Sequence, residues 1–157
     1  MTESGGSETA SWQRGRRLGL DVGYARIGVA SCDPDGILAT PVETIRVAGG
    51  ESGWAAEVRR VLELVDEYDA LEVVVGLPTS LKGRETASTS MARSFVDALG
   101  AARHELALHF VDERLTTVSA SAALHGAGRS TRKQKSVIDQ AAAVVLLQGW
   151  LDTRRAG

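Results

Sequence analysis

Acidic residues stand at three places in the sequence where a carboxylate could take part in chemistry. Asp21 lies inside the apolar run LGLDVG, Asp112 and Glu113 follow the apolar run LALHFV, and Asp139 shares a helical stripe with small and apolar residues in KSVIDQAAAVVLL. Each of these acids needs a cation, a set of donors or solvent, because burying an unpaired carboxylate is costly. Carboxylate oxygens are the ligands that suit Mg²⁺ or Mn²⁺, so the pattern indicates a site for a hard divalent cation.

Each acid also has a structural explanation. Asp21 could accept hydrogen bonds from the backbone of the next turn, Asp112 could cap the following helix while Glu113 pairs with a neighbouring base, and Asp139 could follow Ser136 as a cap favoured by the helix dipole. Neighbouring strand residues point to opposite faces, so only one of Asp112 and Glu113 is expected to face Asp21. Three acids at strand or helix ends on one side of a sheet favour a shared site over three separate explanations.

Basic residues cluster in the segment Gly126–Ser136, which contains Arg129, Arg132, Lys133 and Lys135. The net charge of −2 and the pI near 5.9 exclude a uniformly basic nucleic-acid-binding protein, so a polyanion would have to meet a local patch such as this one. The glycines, serines and threonine of the segment predict a mobile loop rather than a helix. The alternative is a solvated loop without a ligand.

Hydrophobic periodicity predicts an α/β fold, in which a mixed sheet carries helices on its faces. Short apolar runs separated by turn residues predict strands, and apolar stripes at helical spacing predict helices. The predicted elements are strands at Leu18–Val22, Ile27–Cys32 and Ile37–Ile45, a helix at Ser52–Tyr68, a strand at Leu71–Gly76, a helix with an apolar stripe from Ala87 to Leu99, a strand at Leu106–Glu113, and helices at Thr117–His125 and Val137–Asp152.

The 157 residues, 43% hydrophobic and 24% charged, predict one globular domain. Residues 1–16, rich in Ser, Gly, Thr and Glu, are expected to form a disordered tail before a domain at 17–153.

No apolar run approaches the roughly 20 residues of a membrane span, and no signal-peptide core is visible, so we expect a cytoplasmic protein that does not bind a membrane. The single cysteine, Cys32, is interpreted as a small buried hydrophobe, with a redox or intermolecular thiol as the alternative. The three histidines lack the spacing of zinc ligands.

Four ordered stretches, GLDVGYARIGVA, VVVGLPTSLKG, VDERLTT and KSVIDQAAAVVLL, resemble the YqgF/RuvX family of bacterial RNase H-like nucleases. The similarity runs from about Leu18 to Leu151. It implies an RNase H-like fold, with a five-stranded mixed sheet in the order 3-2-1-4-5 flanked by helices, and it implies that Asp21, Glu113 and Asp139 are the catalytic and metal-binding acids. The family is described as processing the 5′ end of precursor 16S rRNA in ribosome biogenesis, and also as resolving Holliday junctions in DNA recombination and repair. One departure from the wider RNase H pattern is that the middle acid, Glu113, follows the fifth strand rather than the fourth.

The expected activity is metal-dependent hydrolysis of phosphodiester bonds, with two Mg²⁺ or Mn²⁺ ions held by the acids. Lys135 is expected to meet the scissile phosphate or to orient the attacking water, while other basic residues hold flanking phosphates or pair with carboxylates. The predicted substrate-binding residues are Arg26, Arg114, Arg129, Arg132, Lys133 and Lys135, and further candidates near the site are Asp112, Thr116 and Thr117. The expected partner is RNA or branched DNA, and resolution of a four-way junction would require a homodimer.

Two functions of other classes remain as alternatives. A sugar-kinase-like or actin-like ATPase opens with a similar aspartate and glycine turn, but such proteins need two domains around a cleft, and this chain predicts one. A catalytically silent module could instead dock on ribosomal RNA or on a partner protein, and it would then bind nucleic acid equally with and without divalent metal.

Overall fold

The computed structural model describes residues 12–48, 53–77, 87–112 and 132–156. The strands are β1 (Arg17–Val22), β2 (Arg26–Cys32), β3 (Ala39–Arg46), β4 (Glu72–Leu77) and β5 (Ala107–Asp112), and the helices are α1 (Ala55–Tyr68), α2 (Ala87–Ala102) and α3 (Arg132–Ala156). The strands form a five-stranded sheet in the order β3-β2-β1-β4-β5. β2 is antiparallel to β1 and β3, whereas β4 is parallel to β1 and β5. The predicted mixed sheet and its order are confirmed.

The two faces of the sheet carry different helices. On one face Leu18, Leu20 and Val22 of β1 join a buried cluster with residues of α1 and α2. On the other face small side chains such as Ala30 and Cys32 pack against Leu147 and neighbouring residues of α3. Because strand residues alternate between faces, Arg17, Gly19 and Asp21 belong to the α3 face of β1.

Several element bounds differ from the predicted ones. β3 begins at Ala39 rather than Ile37, because the Asp33 carboxylate accepts hydrogen bonds from the N–H groups of Ile37 and Leu38 and keeps both residues in the turn. α1 begins at Ala55, three residues later than predicted. The predicted helix Thr117–His125 lies outside the described residues.

The prediction of a loop over all of Gly126–Ser136 is wrong for its last five residues, because α3 begins at Arg132. Arginine, lysine and glutamine have favourable helix propensities, and the continuous helix that follows extends their turn at little cost. α3 also continues to Ala156, beyond the predicted end at Asp152. None of the helices that the structure describes is long and apolar enough to cross a membrane.

The segment before β1 packs on the domain. The Trp12 indole N–H donates to the Pro34 carbonyl at 2.8 Å, and the Arg17 guanidinium stacks on the Trp12 ring with its carbon 3.9 Å from the ring centroid. Residues 12–16, which the sequence assigns to the tail, therefore belong to the packed part of the chain. Residues 1–11 lie outside the described residues.

A charged cluster joins β1, β4 and β5 near their amino ends. The Arg17 side chain, 2% exposed, donates from Nε to Glu72 Oε2 at 2.7 Å, and His109 Nε2 lies 2.5 Å from Glu72 Oε1. Burial works to raise the pKa of Glu72, but the hydrogen bonds from Arg17 and His109 outweigh it and hold that pKa below its usual value. The cluster therefore keeps Glu72 ionised and supplies the counter-charge that buried Arg17 needs.

Cys32 is buried in β2, as the interpretation of a small buried hydrophobe predicts. Its sulfur accepts a hydrogen bond from the Arg17 backbone N–H at 3.3 Å. Burial raises the pKa of the Cys32 thiol above its usual value, which lowers its thiolate fraction and its reactivity.

Candidate active site

Asp21 stands on the α3 face of the central strand between two glycines. Its register partner on the antiparallel side is Gly28 of β2, and its partner on the parallel side is Gly76 of β4. Register partners share a face of the sheet, so neither neighbouring strand places a side chain beside the Asp21 carboxylate. Asp21 is half-buried, with glycines as its neighbours in both adjacent strands.

Helix α3 packs directly on Gly28. A Cβ atom built on Gly28 would lie 2.0 Å from the Asp139 carbonyl oxygen and 3.1 Å from the Asp139 Cβ, so only glycine fits there. Further along the same helix, a Cβ on Gly19 would lie 2.8 Å from the Cβ of Leu147. The two glycines allow α3 to lie directly on the sheet. As a result, the Asp139 backbone contacts Gly28, which is also the register partner of Asp21.

Asp139 lies two turns into α3, which begins at Arg132. The stabilising effect of a helix dipole on an acid falls off within the first turn, so the explanation of Asp139 as an N-terminal cap is wrong. Ala143 and Leu146 of the same stripe are buried against the sheet, as predicted. Asp139 therefore lies on the packing face of the helix, where an acid needs a partner.

That partner is Arg26, at the start of β2. Arg26 Nε donates to Asp139 Oδ2 at 2.5 Å, and the two side chains are 35% and 19% exposed. The next residue of the helix is anchored as well, because the Gln140 amide donates to the Thr44 hydroxyl at 3.0 Å. Thr44 is the register partner of Gly28 on β3, so both contacts fix α3 at the level of Asp21.

The carboxyl end of β5 carries Asp112, which pairs in register with Leu77 of β4. Leu108 of the same strand packs against the α1 and α2 cluster, whereas Val111 packs against the α3 cluster. By alternation Asp112 belongs with Leu108 on the α2 face, opposite to Asp21. The structure thus places Asp112 on the opposite face of the sheet from Asp21 and Asp139.

The other predicted site residues are not all covered by the described ranges. Glu113, Arg114, Thr116, Thr117 and Arg129 lie outside the described residues. Arg132, Lys133 and Lys135 are placed in the first turn of α3, and only their backbone is described. Within the described ranges no group of three His, Cys, Asp or Glu side chains is placed to hold a metal ion.

The residues that sequence reasoning missed are the glycines beside Asp21 and the anchors of α3. Gly28 was detectable, because a hairpin that pairs Val22 with Ile27 must also pair Asp21 with Gly28. Gly76 follows in the same way once β4 is placed parallel to β1. The hydrogen bond between Gln140 and Thr44 joins residues far apart in the chain, and no local signal indicates it.

Comparisons with known proteins identify the family of this chain. A family model described as RuvX, Holliday junction resolvase, matches residues 15–153. Three similar relatives bear the provisional name pre-16S rRNA nuclease. The relative from Rhodococcus opacus is 52% identical over 141 residues, covering 90% of this chain and 79% of its own. The one from Streptomyces coelicolor is 54% identical (91% and 83% covered), and the one from Mycolicibacterium smegmatis is 55% identical (91% and 84% covered).

Two similar solved structures are of Holliday junction proteins. Thermus thermophilus RuvC in complex with a Holliday junction substrate has a TM-score of 0.58 at 14% identity, covering 89% of this chain and 95% of RuvC. The yeast mitochondrial resolvase Ydc2 has a TM-score of 0.58 at 11% identity, covering 92% of this chain and 80% of Ydc2. At these identities the likeness shows the fold, which is the RNase H-like fold that the sequence motifs imply.

Proposed function

This chain belongs to the RuvX family of Holliday junction resolvases and is a nuclease, and from that premise we propose that it hydrolyses phosphodiester bonds at the 5′ end of precursor 16S rRNA with a divalent cation. The names of relatives more than 50% identical over nine tenths of the chain support this substrate. The proposal makes the protein a cytoplasmic enzyme of ribosome biogenesis whose partner is structured RNA.

The observation that carries the proposal is that Asp21 and Asp139 both neighbour Gly28. Asp21 is the register partner of Gly28, and the Asp139 backbone packs on it. Asp21 stands between two glycines on this face, and Asp139 lies on the packing face of α3 with Arg26 as its ion-pair partner. Two carboxylates on one half-buried face repel each other unless a cation lies between or beside them. Arg26 supplies one positive charge, and a divalent ion bound by both acids would add to it.

The donor set fits Mg²⁺ or Mn²⁺, since both ions prefer carboxylate oxygens and leave positions for water and substrate phosphate. Asp21 and Asp139 would hold the metal together with Glu113, which we prefer to Asp112 because Asp112 continues the α2 face of β5. We propose two ions, which Asp21, Asp139 and Glu113 would hold. Bound metal would supply an activated water and charge stabilisation at the leaving oxygen.

The protein's own residues would bind and orient the substrate. Arg26 is paired with Asp139 and lies two residues before Gly28, the register partner of Asp21, so it can hold Asp139 in place or turn toward a phosphate oxygen. Lys135 precedes Asp139 by one helical turn, and we assign it to the scissile phosphate or to the attacking water. Arg129, Arg132 and Lys133 would neutralise flanking phosphates, and such contacts position a strand without reading its sequence. We assign Arg114 to a carboxylate or a phosphate, and Thr116 or Thr117 to a helix cap.

A second candidate is resolution of four-way DNA junctions, which the description of the family favours. Symmetric cleavage of such a junction needs two active sites, so this function predicts a homodimer in solution. Trimming of an RNA end does not require two sites.

The test is a cleavage panel with the intact protein in Mg²⁺, on 5′ precursor fragments of 16S rRNA, four-way junction DNA and linear duplex, beside a measurement of solution mass. We expect cleavage of the RNA, its loss with EDTA, and its loss in Asp21→Asn while folding and most of the binding persist. Asp97→Asn is the matched control, because Asp97 is an exposed carboxylate on α2. Undiminished turnover by Asp21→Asn would refute the ligand role of Asp21. If the protein binds the RNA equally with and without metal and does not cleave it, it is a catalytically silent binding module and not a nuclease.

A further inference from the structure

The turn between β1 and β2 carries an exposed aromatic residue. Tyr24 is 61% exposed, more than any other aromatic side chain that the structure describes. By contrast, Trp54 packs edge-on against buried Phe95, with ring centroids 5.2 Å apart, and Trp150 lies against His109. Exposure of a single apolar side chain is ordinary in itself, so the position of Tyr24 decides whether it has a role.

The backbone under Tyr24 is held on both sides. The Gly23 N–H donates to the Arg26 carbonyl at 2.9 Å, which closes the turn, and the Val47 N–H donates to the Ala25 carbonyl at 2.9 Å, which ties the turn to the end of β3. A fixed backbone removes part of the conformational entropy that binding would otherwise cost, and leaves the side-chain rotation of Tyr24 to be ordered. The turn therefore fixes the point from which the Tyr24 ring extends.

The turn lies beside the two acids. Tyr24 follows Asp21 by three residues, so their Cα atoms are at most about 10 Å apart. It precedes Arg26, whose guanidinium contacts Asp139, by two residues. A nucleotide next to a phosphate bound at Asp21 and Asp139 would therefore lie within reach of the Tyr24 ring.

We propose that Tyr24 stacks on an unpaired nucleobase adjacent to the phosphate that is cut, and that it thereby directs cleavage to single-stranded or opened segments. This inference rests on the nuclease function proposed above. A base inside a continuous duplex is covered on both faces by its neighbours, whereas an unpaired base offers a free face to an aromatic side chain. Stacking of this kind tolerates any base, so Tyr24 would select strand structure and not sequence.

Binding without metal tests the inference separately from catalysis. The probes are a splayed RNA and a blunt RNA duplex, each with 2-aminopurine beside the cleavage position, titrated in EDTA with the wild-type protein and with Tyr24→Ala and Tyr24→Phe. We expect Tyr24→Ala to lose about tenfold in affinity for the splayed RNA, together with the stacking-dependent quenching of 2-aminopurine, and Tyr24→Phe to retain both. Binding of the duplex should be equal for all three proteins.

Ile37→Ala is the matched control, because Ile37 is 58% exposed in the β2–β3 turn at the other end of the sheet. It should bind both RNAs as the wild type does. The inference is overturned if Tyr24→Ala binds the splayed RNA with wild-type affinity and quenching, or if it loses affinity equally for both RNAs. Failure of the nuclease function would be seen differently, as absence of cleavage by the wild type in Mg²⁺ while the Tyr24 effect on binding persists.

Discussion

Arg26 Nε and Asp139 Oδ2 lie 2.5 Å apart, and this ion pair joins the β1–β2 hairpin to helix α3 beside Asp21. The pair neutralises one of the two acids that meet at Gly28. A divalent cation would have to share Asp139 with the guanidinium or displace it. Arg26 is therefore both a support for Asp139 and a competitor for its oxygen.

Replacement of Arg26 by alanine should tighten the binding of Mn²⁺ in the absence of substrate by about five- to tenfold, because one positive charge near the carboxylates is removed. Calorimetric titration with Mn²⁺ measures this. Arg46→Ala is the matched control, because Arg46 is the register partner of Arg26 on β3 and its replacement removes a charge while the ion pair between Arg26 and Asp139 stays in place. Equal tightening in both variants, or none in Arg26→Ala, would contradict a specific competition.

Replacement of Gly28 by alanine should separate α3 from the sheet. The new Cβ would lie 2.0 Å from the Asp139 carbonyl oxygen, so the helix must move. We expect a loss of about 1 to 3 kcal/mol in the free energy of unfolding, measured in urea, and a marked loss of cleavage at temperatures where the variant is still folded. Gly100→Ala is the control, since its Cβ would meet Leu108 at an ordinary 3.5 Å. Retention of full activity by Gly28→Ala would show that the position of Asp139 is unimportant.

Acidification should weaken the fold through Glu72. Its pKa in the folded protein is below its ordinary value of 4.5, so its contribution to stability is complete above that value and is lost as the pH falls through the lowered one. In urea unfolding between pH 7 and pH 3, the free energy of unfolding should fall more steeply with acidification for the wild type than for Glu72→Gln. At pH 7 the variant should be less stable by about 3 kcal/mol, because buried Arg17 loses its counter-charge.

Asp66→Asn provides the comparison for this prediction. The pKa of Asp66 is also lowered, by the hydrogen bonds from Arg103, but that pair is exposed to solvent and is screened by it. Its removal should change the stability little at any pH. A wild-type pH profile in Glu72→Gln would mean that the cluster at the amino ends of β1 and β4 does not couple to folding.

Neutralisation of Arg132 and Lys133 should flatten the salt dependence of RNA binding. For each phosphate that the protein no longer neutralises, the slope of log K against log salt should fall by about 0.7 to 0.9, because fewer counterions are released. Fluorescence anisotropy between low and moderate salt measures the slope for Arg132→Gln/Lys133→Gln. Arg59→Gln on the exposed surface of α1, across the sheet, should leave it unchanged. An unchanged slope in the double variant would mean that this segment is a solvated helix end that does not bind phosphate.

Local patterns in the sequence predicted most of the described elements. The alternation in LGLDVG and RIGVAS, the continuous apolar run in LEVVVG and the stripe that contains Ala143 and Leu146 each correspond to an observed strand or helix. These signals are strong because burial of one face depends on the spacing of neighbouring residues. The start of α3 at Arg132 was missed, because the turn residues before it obscured the good helix propensity of arginine and lysine.

By itself the sequence determined that Asp21 and Asp139 sit on surfaces that must pack, and that an acid in such a place needs a partner. Only the tertiary structure decided the partners. The backbone of α3 packs on Gly28, and Asp139 forms an ion pair with Arg26. The reason is that strand register and helix placement bring together residues separated by most of the chain. Periodicity reports the face on which a residue lies, but the contact across that face depends on how closely two backbones can approach.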